Sequence, residues 1–107
     1  MPAAPLTTVT DDPARSRYEA RTGEGLVAVA EYERTGQLVV FTHTAVEPGF
    51  GGRGLATDLV RQALDDVRAR ALRVVPVCPF VAAFLERHAE EYGDLVLRSR
   101  TVVEATD

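Results

Sequence analysis

The most constraining feature of the sequence is a change of hydrophobic period on either side of a glycine-rich segment. Before it, Leu38–Val46 is rich in β-branched and aromatic residues, which predicts a strand. After it, apolar residues recur at spacings of three to five from Leu55 to Val67, which predicts an amphipathic helix. The next apolar stretch, Leu72–Val77, predicts a buried strand. A strand, a helix and a strand in this order predict a β-α-β crossover with two parallel strands.

Two shorter strand-like stretches precede the crossover. Arg17–Arg21 alternates weakly between apolar and polar residues, and Leu26–Arg34 is rich in β-forming residues. The short turns TGEG and TGQ separate these stretches, so we expect an antiparallel meander. The expected fold class is therefore α/β (α+β), with an antiparallel β-meander, a β-α-β crossover and a second helix around a mixed sheet.

The chain after the crossover predicts the second helix and a short last strand. The helix begins at Pro79, a residue that suits the first turn, and it places Phe84 and Leu85 on one apolar stripe. The stretch Asp94–Arg98 predicts the last strand.

The chain shows no internal repeat and no boundary between two folded units. We predict a flexible leader over residues 1–14, one domain over residues 15–98 and a tail over residues 99–107. The sequence is compatible with either a monomer or a homodimer.

The composition argues against several classes of function. The chain has 107 residues and a formal net charge of -4, and no basic cluster is present to neutralise phosphates, so we expect no nucleic-acid partner. Its single cysteine, Cys78, allows no intrachain disulfide and no cysteine cage, and no metal is expected. No stretch approaches the about 20 apolar residues of a membrane helix, so no membrane partner is expected. A lone thiol suits the reducing cytoplasm.

The glycine-rich segment has the properties of an anion site. Four of the eight glycines fall between Gly49 and Gly54, and their spacing matches G-x-G-x-x-G by letter. A dinucleotide fingerprint should open a doubly wound fold, whereas three predicted strands come first here; a P-loop would need a Gly-Lys-Ser/Thr that is missing. A glycine-rich turn into a helix still presents free amides and a positive dipole end, which suit a pyrophosphate, and Arg53 adds a donor. The alternative is that the glycine-rich segment only connects the strand to the helix and binds no anion.

Three stretches of the sequence resemble the GNAT superfamily of acetyltransferases. The segment VEPGFGGRGLATDLV resembles its acyl-CoA-binding motif, Q/R-x-x-G-x-G/A: Gly54 and Ala56 match, whereas Gly51 stands where Gln or Arg is usual. Together with RYEAR and VVPVCPFVAAFLERH, it resembles a small branch of minimal single-domain N-acetyltransferase-like proteins with a Pro-x-Cys-Pro-Phe motif. The resemblance covers about Arg17 to Val96.

The resemblance implies an acetyl-CoA-dependent N-acetyltransferase that acts on an amine of a protein or a small molecule. The pantetheine arm would pair with the end of the strand before the glycines, and the pyrophosphate would lie on the amides that follow. The branch lacks two N-terminal helices that build much of the acceptor site in larger relatives, so a non-catalytic acyl-CoA binding or sensing module is the alternative. The implied cofactor-binding residues are Thr44, Val46, Gly51, Gly52, Arg53, Gly54, Leu55 and Ala56.

Cys78 and His43 are the candidate catalytic residues. Cys78 is the one residue able to form an acyl-enzyme, and a helix that begins at Pro79 favours its thiolate. The alternatives for Cys78 are a wall of the cofactor site and a small buried core residue. His43 lies in the strand before the glycines and could act as a base, with a structural hydrogen bond as the alternative.

Overall fold

The computed structural model describes residues 5–97 as one sheet and three helices. The strands are β1 Thr8–Asp12, β2 Arg17–Thr22, β3 Gly25–Thr35, β4 Leu38–Val46 and β5 Arg73–Pro76. The helices are α1 Leu55–Ala69, α2 Pro79–Arg87 and α3 Ala89–Tyr92, and a 3₁₀ turn over Gly93–Leu95 follows them. The predicted fold class, α+β with a mixed sheet, is confirmed.

The sheet joins an antiparallel meander to one parallel pair. Its order is β1-β2-β3-β4-β5, and the first four strands are antiparallel to their neighbours. β5 runs parallel to the first half of β4, from Leu38 opposite Arg73 to Phe41 opposite Pro76. The predicted β-α-β crossover is thus confirmed. Pro76 has no N–H to donate, and it is tolerated because it ends a strand at the edge of the five-stranded order.

Both α1 and α2 cover the same face of the sheet, because the chain crosses twice in the same direction. α1 links β4 to β5, and α2 follows β5 before Val96 forms a parallel bridge to Val74. Right-handed crossovers that advance in one direction place their helices on one face. The two helices also meet directly, since the Arg61 guanidinium lies 5.4 Å from the centroid of the Phe84 ring. The buried stripe of α1 consists of Leu55, Leu59, Val60, Ala63, Leu64 and Val67.

The opposite face of the sheet, which we call the open face, has no helix over it in residues 5–97. Side chains alternate between the two faces along a strand. On β3, Ala30 is fully buried beneath the helices, whereas the next residue, Glu31, is exposed. His43, which is the β4 partner of Glu31, is exposed as well. The open face therefore carries polar side chains directly beside the end of β4.

β1 departs from the flexible leader predicted over residues 1–14. Thr8–Asp12 pairs along its whole length with β2. The Asp11 carboxylate accepts a hydrogen bond from the Tyr32 hydroxyl at 2.6 Å and forms an ion pair with Arg70 at 3.2 Å. These contacts come from residues far along the chain, and the local sequence, with two adjacent aspartates, gives no sign of them.

The last strand predicted over Asp94–Arg98 is reduced to a single bridge. Gly93–Leu95 forms a 3₁₀ turn, and Val96 then bridges to Val74. The end of that stretch and the predicted tail over residues 99–107 lie outside the described residues. The division into a domain over 15–98 and a tail stays a prediction.

Glu19 on the open face is expected to make stability depend on pH. Its side chain is 5% exposed, because Arg17 at 2.8 Å and Arg21 at 2.7 Å bind its two oxygens. The hydrogen bond from Arg21, followed by that from Arg17, holds the pKa of Glu19 below its usual range. A depressed pKa contributes stability that is present above the unfolded value, about 4.3, and is lost as the pH falls through the folded value.

We therefore expect Glu19→Gln to lower the free energy of unfolding by about 1 kcal/mol at pH 7. The difference from wild type should shrink below about pH 4, as Glu19 itself is protonated. Urea unfolding across pH 2.5 to 7 measures it. Glu31→Gln, an exposed change on the same face, is the control and should stay within about 0.5 kcal/mol. A difference that persisted unchanged into acid would contradict the role given to Glu19.

Candidate active site

β4 and β5 separate beyond Phe41, and this separation leaves an opening in the sheet. The Phe41 carbonyl oxygen accepts hydrogen bonds from the N–H groups of Val77 at 3.0 Å and Cys78 at 2.8 Å, and the chain then turns into α2. β4 continues to Val46 with β3 as its one paired strand among residues 5–97. The second edge of Thr42–Val46 is therefore available to a ligand, because backbone groups there lack a partner strand.

The opening brings Thr44 and Cys78 together. The Thr44 Oγ1 and the Cys78 Sγ lie 3.3 Å apart, and either atom can be the donor. Cys78 is the N-cap residue of α2 and is 3% exposed, so its thiol is sheltered at the positive end of that helix. No side chain caps this helix end. The sulfur thus lies beside a hydroxyl group and at the N-terminus of a helix.

The glycines between β4 and α1 have two different structural roles. Gly49, Gly52 and Gly54 have φ angles of 88°, 79° and 76°, a conformation that residues with a side chain rarely adopt. Gly51 is outside that region, and a Cβ built on it would meet no atom within 4 Å. Neither the backbone nor a neighbouring group in the described chain requires glycine at position 51.

The positive end of α1 completes this glycine loop, defined as Gly49–Gly54. No side chain caps the helix at Gly54, so the first helical amides, from Leu55 onward, stay open. The Arg53 guanidinium lies 5.0 Å from the Phe50 ring centroid and 3.6 Å from the Glu24 carboxylate. Open amides, a helix dipole and one arginine fit a pyrophosphate group.

His43 does not join Thr44 and Cys78. Thr44 pairs with Ala30 on the covered side of the sheet, whereas His43 pairs with Glu31 on the open face. The side chain of His43 makes no hydrogen bond to another residue of the described range 5–97, so the structural hydrogen bond considered for it is not observed there. His43 is instead exposed one residue from the opening.

A small cavity borders the end of β4. It is lined by Ala28, Val29, Ala45, Val46 and Glu47 and has a volume of about 80 Å³. Pockets that enclose small molecules have about 300 Å³ or more. The cavity is thus large enough for a single alkyl arm and too small for a whole substrate.

The carboxylate of Asp58 ties the segment before β1 to the first turn of α1. It accepts hydrogen bonds from the N–H groups of Leu6 at 3.3 Å and Thr7 at 3.0 Å, and from the Thr7 hydroxyl at 2.6 Å. Gln62 donates to this carboxylate and to the Thr7 carbonyl oxygen, each at 2.9 Å. The sequence predicts only a polar helix face for Asp58, since its partners lie 51 and 52 residues away.

Neither a membrane-spanning helix nor a metal cluster is found in the described part of the chain. No helix there combines the length and the apolar character needed to cross a bilayer. Among the same residues, His, Cys, Asp and Glu side chains form no group of three or more that could hold a metal ion.

Comparison with known families gives a match over most of the chain. Residues 17–95, from β2 to the 3₁₀ turn, match the family model described as GCN5-related N-acetyl-transferase. The chain belongs to the GCN5-related N-acetyltransferase family. The predicted resemblance to the GNAT superfamily is confirmed, and the chain is an acetyltransferase by family. GNAT acetyltransferases generally use acetyl-CoA as acyl donor.

Solved structures share the fold of this GCN5-related chain. A GCN5-like protein from Staphylococcus aureus matches with a TM-score of 0.63 and 19% identity, over 86% of this chain and 89% of the other. The ribosomal-protein-S18-alanine N-acetyltransferase from Escherichia coli matches with a TM-score of 0.52 and 16% identity, over 56% of this chain and 39% of the other. At these identities the likeness establishes the fold alone. A search of the curated proteins finds no match.

Proposed function

We propose that this chain is an acetyl-CoA-dependent N-acetyltransferase whose donor lies between the glycine loop and Cys78. The observation that carries the proposal is the opening beyond Phe41, where Thr44 and Cys78 meet at 3.3 Å. The glycine loop follows the same strand, so one extended ligand would reach both places. Such a ligand carries a pyrophosphate toward one end and a thioester at the other, which is the chemistry of acetyl-CoA.

We assign each part of the donor to a part of this arrangement. The pantetheine arm would lie along the second edge of β4 at Thr44 and Val46, which faces no strand among residues 5–97. When bound, acetyl-CoA supplies an acetyl group activated as a thioester. The pyrophosphate would lie on the amides of Gly51, Gly52, Arg53, Gly54, Leu55 and Ala56, with the Arg53 guanidinium as a further donor.

In the proposed reaction Cys78 would either receive the acetyl group or line the donor site. In a covalent route its Sγ attacks the thioester carbonyl, the acetyl group moves to Sγ, and CoA leaves as a thiol with the proton that Cys78 gives up. An amine then takes the acetyl group and returns the thiol of Cys78. In a direct route the amine attacks the thioester, and Cys78 only forms a wall of the site. Burial at 3% shelters the sulfur from water in either route.

His43 is proposed as the base that serves the acceptor amine. An ammonium group must lose a proton to become nucleophilic, and the amine nitrogen loses another once it has bonded to the acetyl carbon. A neutral imidazole can accept such a proton. His43 is exposed on the open face, one residue along β4 from Thr44. An acceptor that approaches over the open face would therefore meet His43 before it reaches the opening.

A non-catalytic acyl-CoA binding or sensing module is the second candidate. The open face favours it, because no helix lies over that face in residues 5–97 to enclose an acceptor beside His43. Both candidates need the same donor site. They differ in whether an amine is acetylated.

Calorimetry and an acetylation assay separate these candidates. We expect the purified protein to give binding heat with CoA, and to release thiol from acetyl-CoA when small amines, lysine peptides or peptide N-termini are supplied. The thiol release should depend on the amine. Binding of CoA with no thiol release over this panel would favour the binding module. No binding heat at millimolar CoA would overturn both candidates.

A further inference from the structure

The segment before β1 places an exposed apolar side chain beside the glycine loop. Leu6 is 57% exposed, although it is a large hydrophobic residue. Its Cδ1 atom lies 3.9 Å from the position that a Cβ on Gly54 would occupy. Leu6 therefore stands at the rim of the loop that is proposed to hold the pyrophosphate.

The position of Leu6 is fixed by its neighbour rather than by its own packing. Thr7 is 6% exposed, and its N–H, hydroxyl and carbonyl groups all bind Asp58 or Gln62 of α1. The Leu6 N–H is also bound to Asp58, at 3.3 Å. A chain segment held by this many hydrogen bonds is ordered at a cost in entropy, yet it leaves the Leu6 side chain in solvent. A ligand surface that covers Leu6 would explain the arrangement.

The position of Leu6 relative to α1 indicates which part of the donor the Leu6 side chain would contact. β1 runs alongside α1 in the same direction. Thr7, just before β1, binds Asp58 in the first turn of α1, and Asp11, near the end of β1, binds Arg70 at the end of α1. β1 and β5 are the two edges of the sheet, so Leu6 and the opening beside β5 lie on opposite sides of the start of α1. A donor whose acyl arm enters the opening would leave its other end, beyond the pyrophosphate, near Leu6.

We propose that Leu6 is an apolar contact for the nucleoside end of the acyl-CoA donor, and that Asp58 and Thr7 hold it there. This proposal rests on the proposed function. It gives the segment before β1 a part in donor recognition: it would distinguish CoA from donors that lack a nucleotide. The base of the nucleoside offers an apolar ring face that the leucine can cover.

Calorimetry with two ligands tests the proposal. We expect Leu6→Ser to weaken CoA binding about five-fold, the effect of losing roughly 40 Å² of apolar contact. The same variant should bind 4′-phosphopantetheine, which has no nucleoside, as wild type does. Leu6→Met keeps an apolar side chain and should bind both ligands as wild type does. Since Leu6 is largely exposed, none of these changes should shift Tm by more than a degree or two.

Leu97→Ser is the matched control, because Leu97 is also a large apolar residue, 45% exposed, and its N–H binds Val74 on β5. It should leave both affinities unchanged. Unchanged CoA affinity in Leu6→Ser, with wild type binding CoA, would overturn this proposal and leave the proposed function standing. An equal loss for both ligands would also overturn it, since the contact would then not be with the nucleoside. No CoA binding by wild type would overturn both proposals.

Discussion

A Gly51→Glu variant is expected to bind CoA about 100-fold more weakly than wild type, and to unfold at the same temperature. The glutamate would cover an amide proposed to bind the pyrophosphate and would set a negative charge against it. Losing charge-assisted hydrogen bonds of about 1.5–3 kcal/mol each accounts for this factor. Stability should not change, because Gly51 has no positive φ and its Cβ position meets no atom within 4 Å.

Position 51 makes a cleaner test of the loop than the neighbouring glycines do. Gly52 and Gly54 have positive φ angles, so a side chain there strains the backbone and mixes folding with binding. Gly51→Ala adds one methyl group without charge and should cost only a few-fold in affinity. Ala83→Glu adds the same charge at an exposed position of α2 and should leave affinity unchanged. Wild-type affinity in Gly51→Glu would remove the loop from the donor site.

The crossover could be predicted because each of its parts has a local signal. Leu38–Val46 is a run of strand formers, and β4 forms over this same range. The apolar spacing that begins at Leu55 predicts the stripe that α1 buries. Pro79 marks the start of α2, as a first-turn proline should. Each of these signals comes from residues only a few positions apart, so it can be recognised without knowing the tertiary contacts.

β1 and the Asp58 contacts could not be predicted, because their partners are remote in the sequence. Asp11 is held by Tyr32 and Arg70, and Asp58 by Leu6 and Thr7. In the sequence, the surroundings of Asp11 are typical of a loop, and those of Asp58 are typical of the solvent-exposed face of a helix. Tertiary contact overrides such local patterns, and the leader prediction was wrong over Thr8–Asp12 for that reason.

The sequence indicates the separate residues of the candidate site, but it does not indicate which of them come into contact. The glycines and Cys78 stand out in the sequence, whereas the meeting of Thr44 with Cys78 depends on where β5 stops pairing with β4. The face of His43 is decided by an irregularity in β4, since the register with β3 shifts between Glu31 and Tyr32. A shift of one residue exchanges the two faces of a strand, and no local sequence signal fixes it.

Replacing Cys78 with alanine is expected to lower amine acetylation by about 100-fold or more and to abolish acetylation of the protein itself. The variant loses the sulfur beside Thr44, while the glycine loop is unchanged. Affinity for CoA should therefore stay within about three-fold of wild type. Incubation with labelled acetyl-CoA, followed by intact-mass analysis, should show one acetyl group on wild type and none on Cys78→Ala.

Two further variants separate the nucleophile from the wall of the site. Cys78→Ser keeps the size of the side chain and the contact with Thr44, so a wall would tolerate it, whereas a nucleophile would lose most of its activity. Thr44→Val removes the hydroxyl that lies 3.3 Å from the sulfur, and it should slow formation of the acetyl adduct by about ten-fold. Full turnover in Cys78→Ala, with wild-type binding of CoA, would establish direct attack by the amine and assign Cys78 to the wall. Loss of turnover in both Cys78 variants with CoA binding retained would instead require the sulfur itself, because serine keeps the approximate size of the side chain and the contact with Thr44 but not the sulfur.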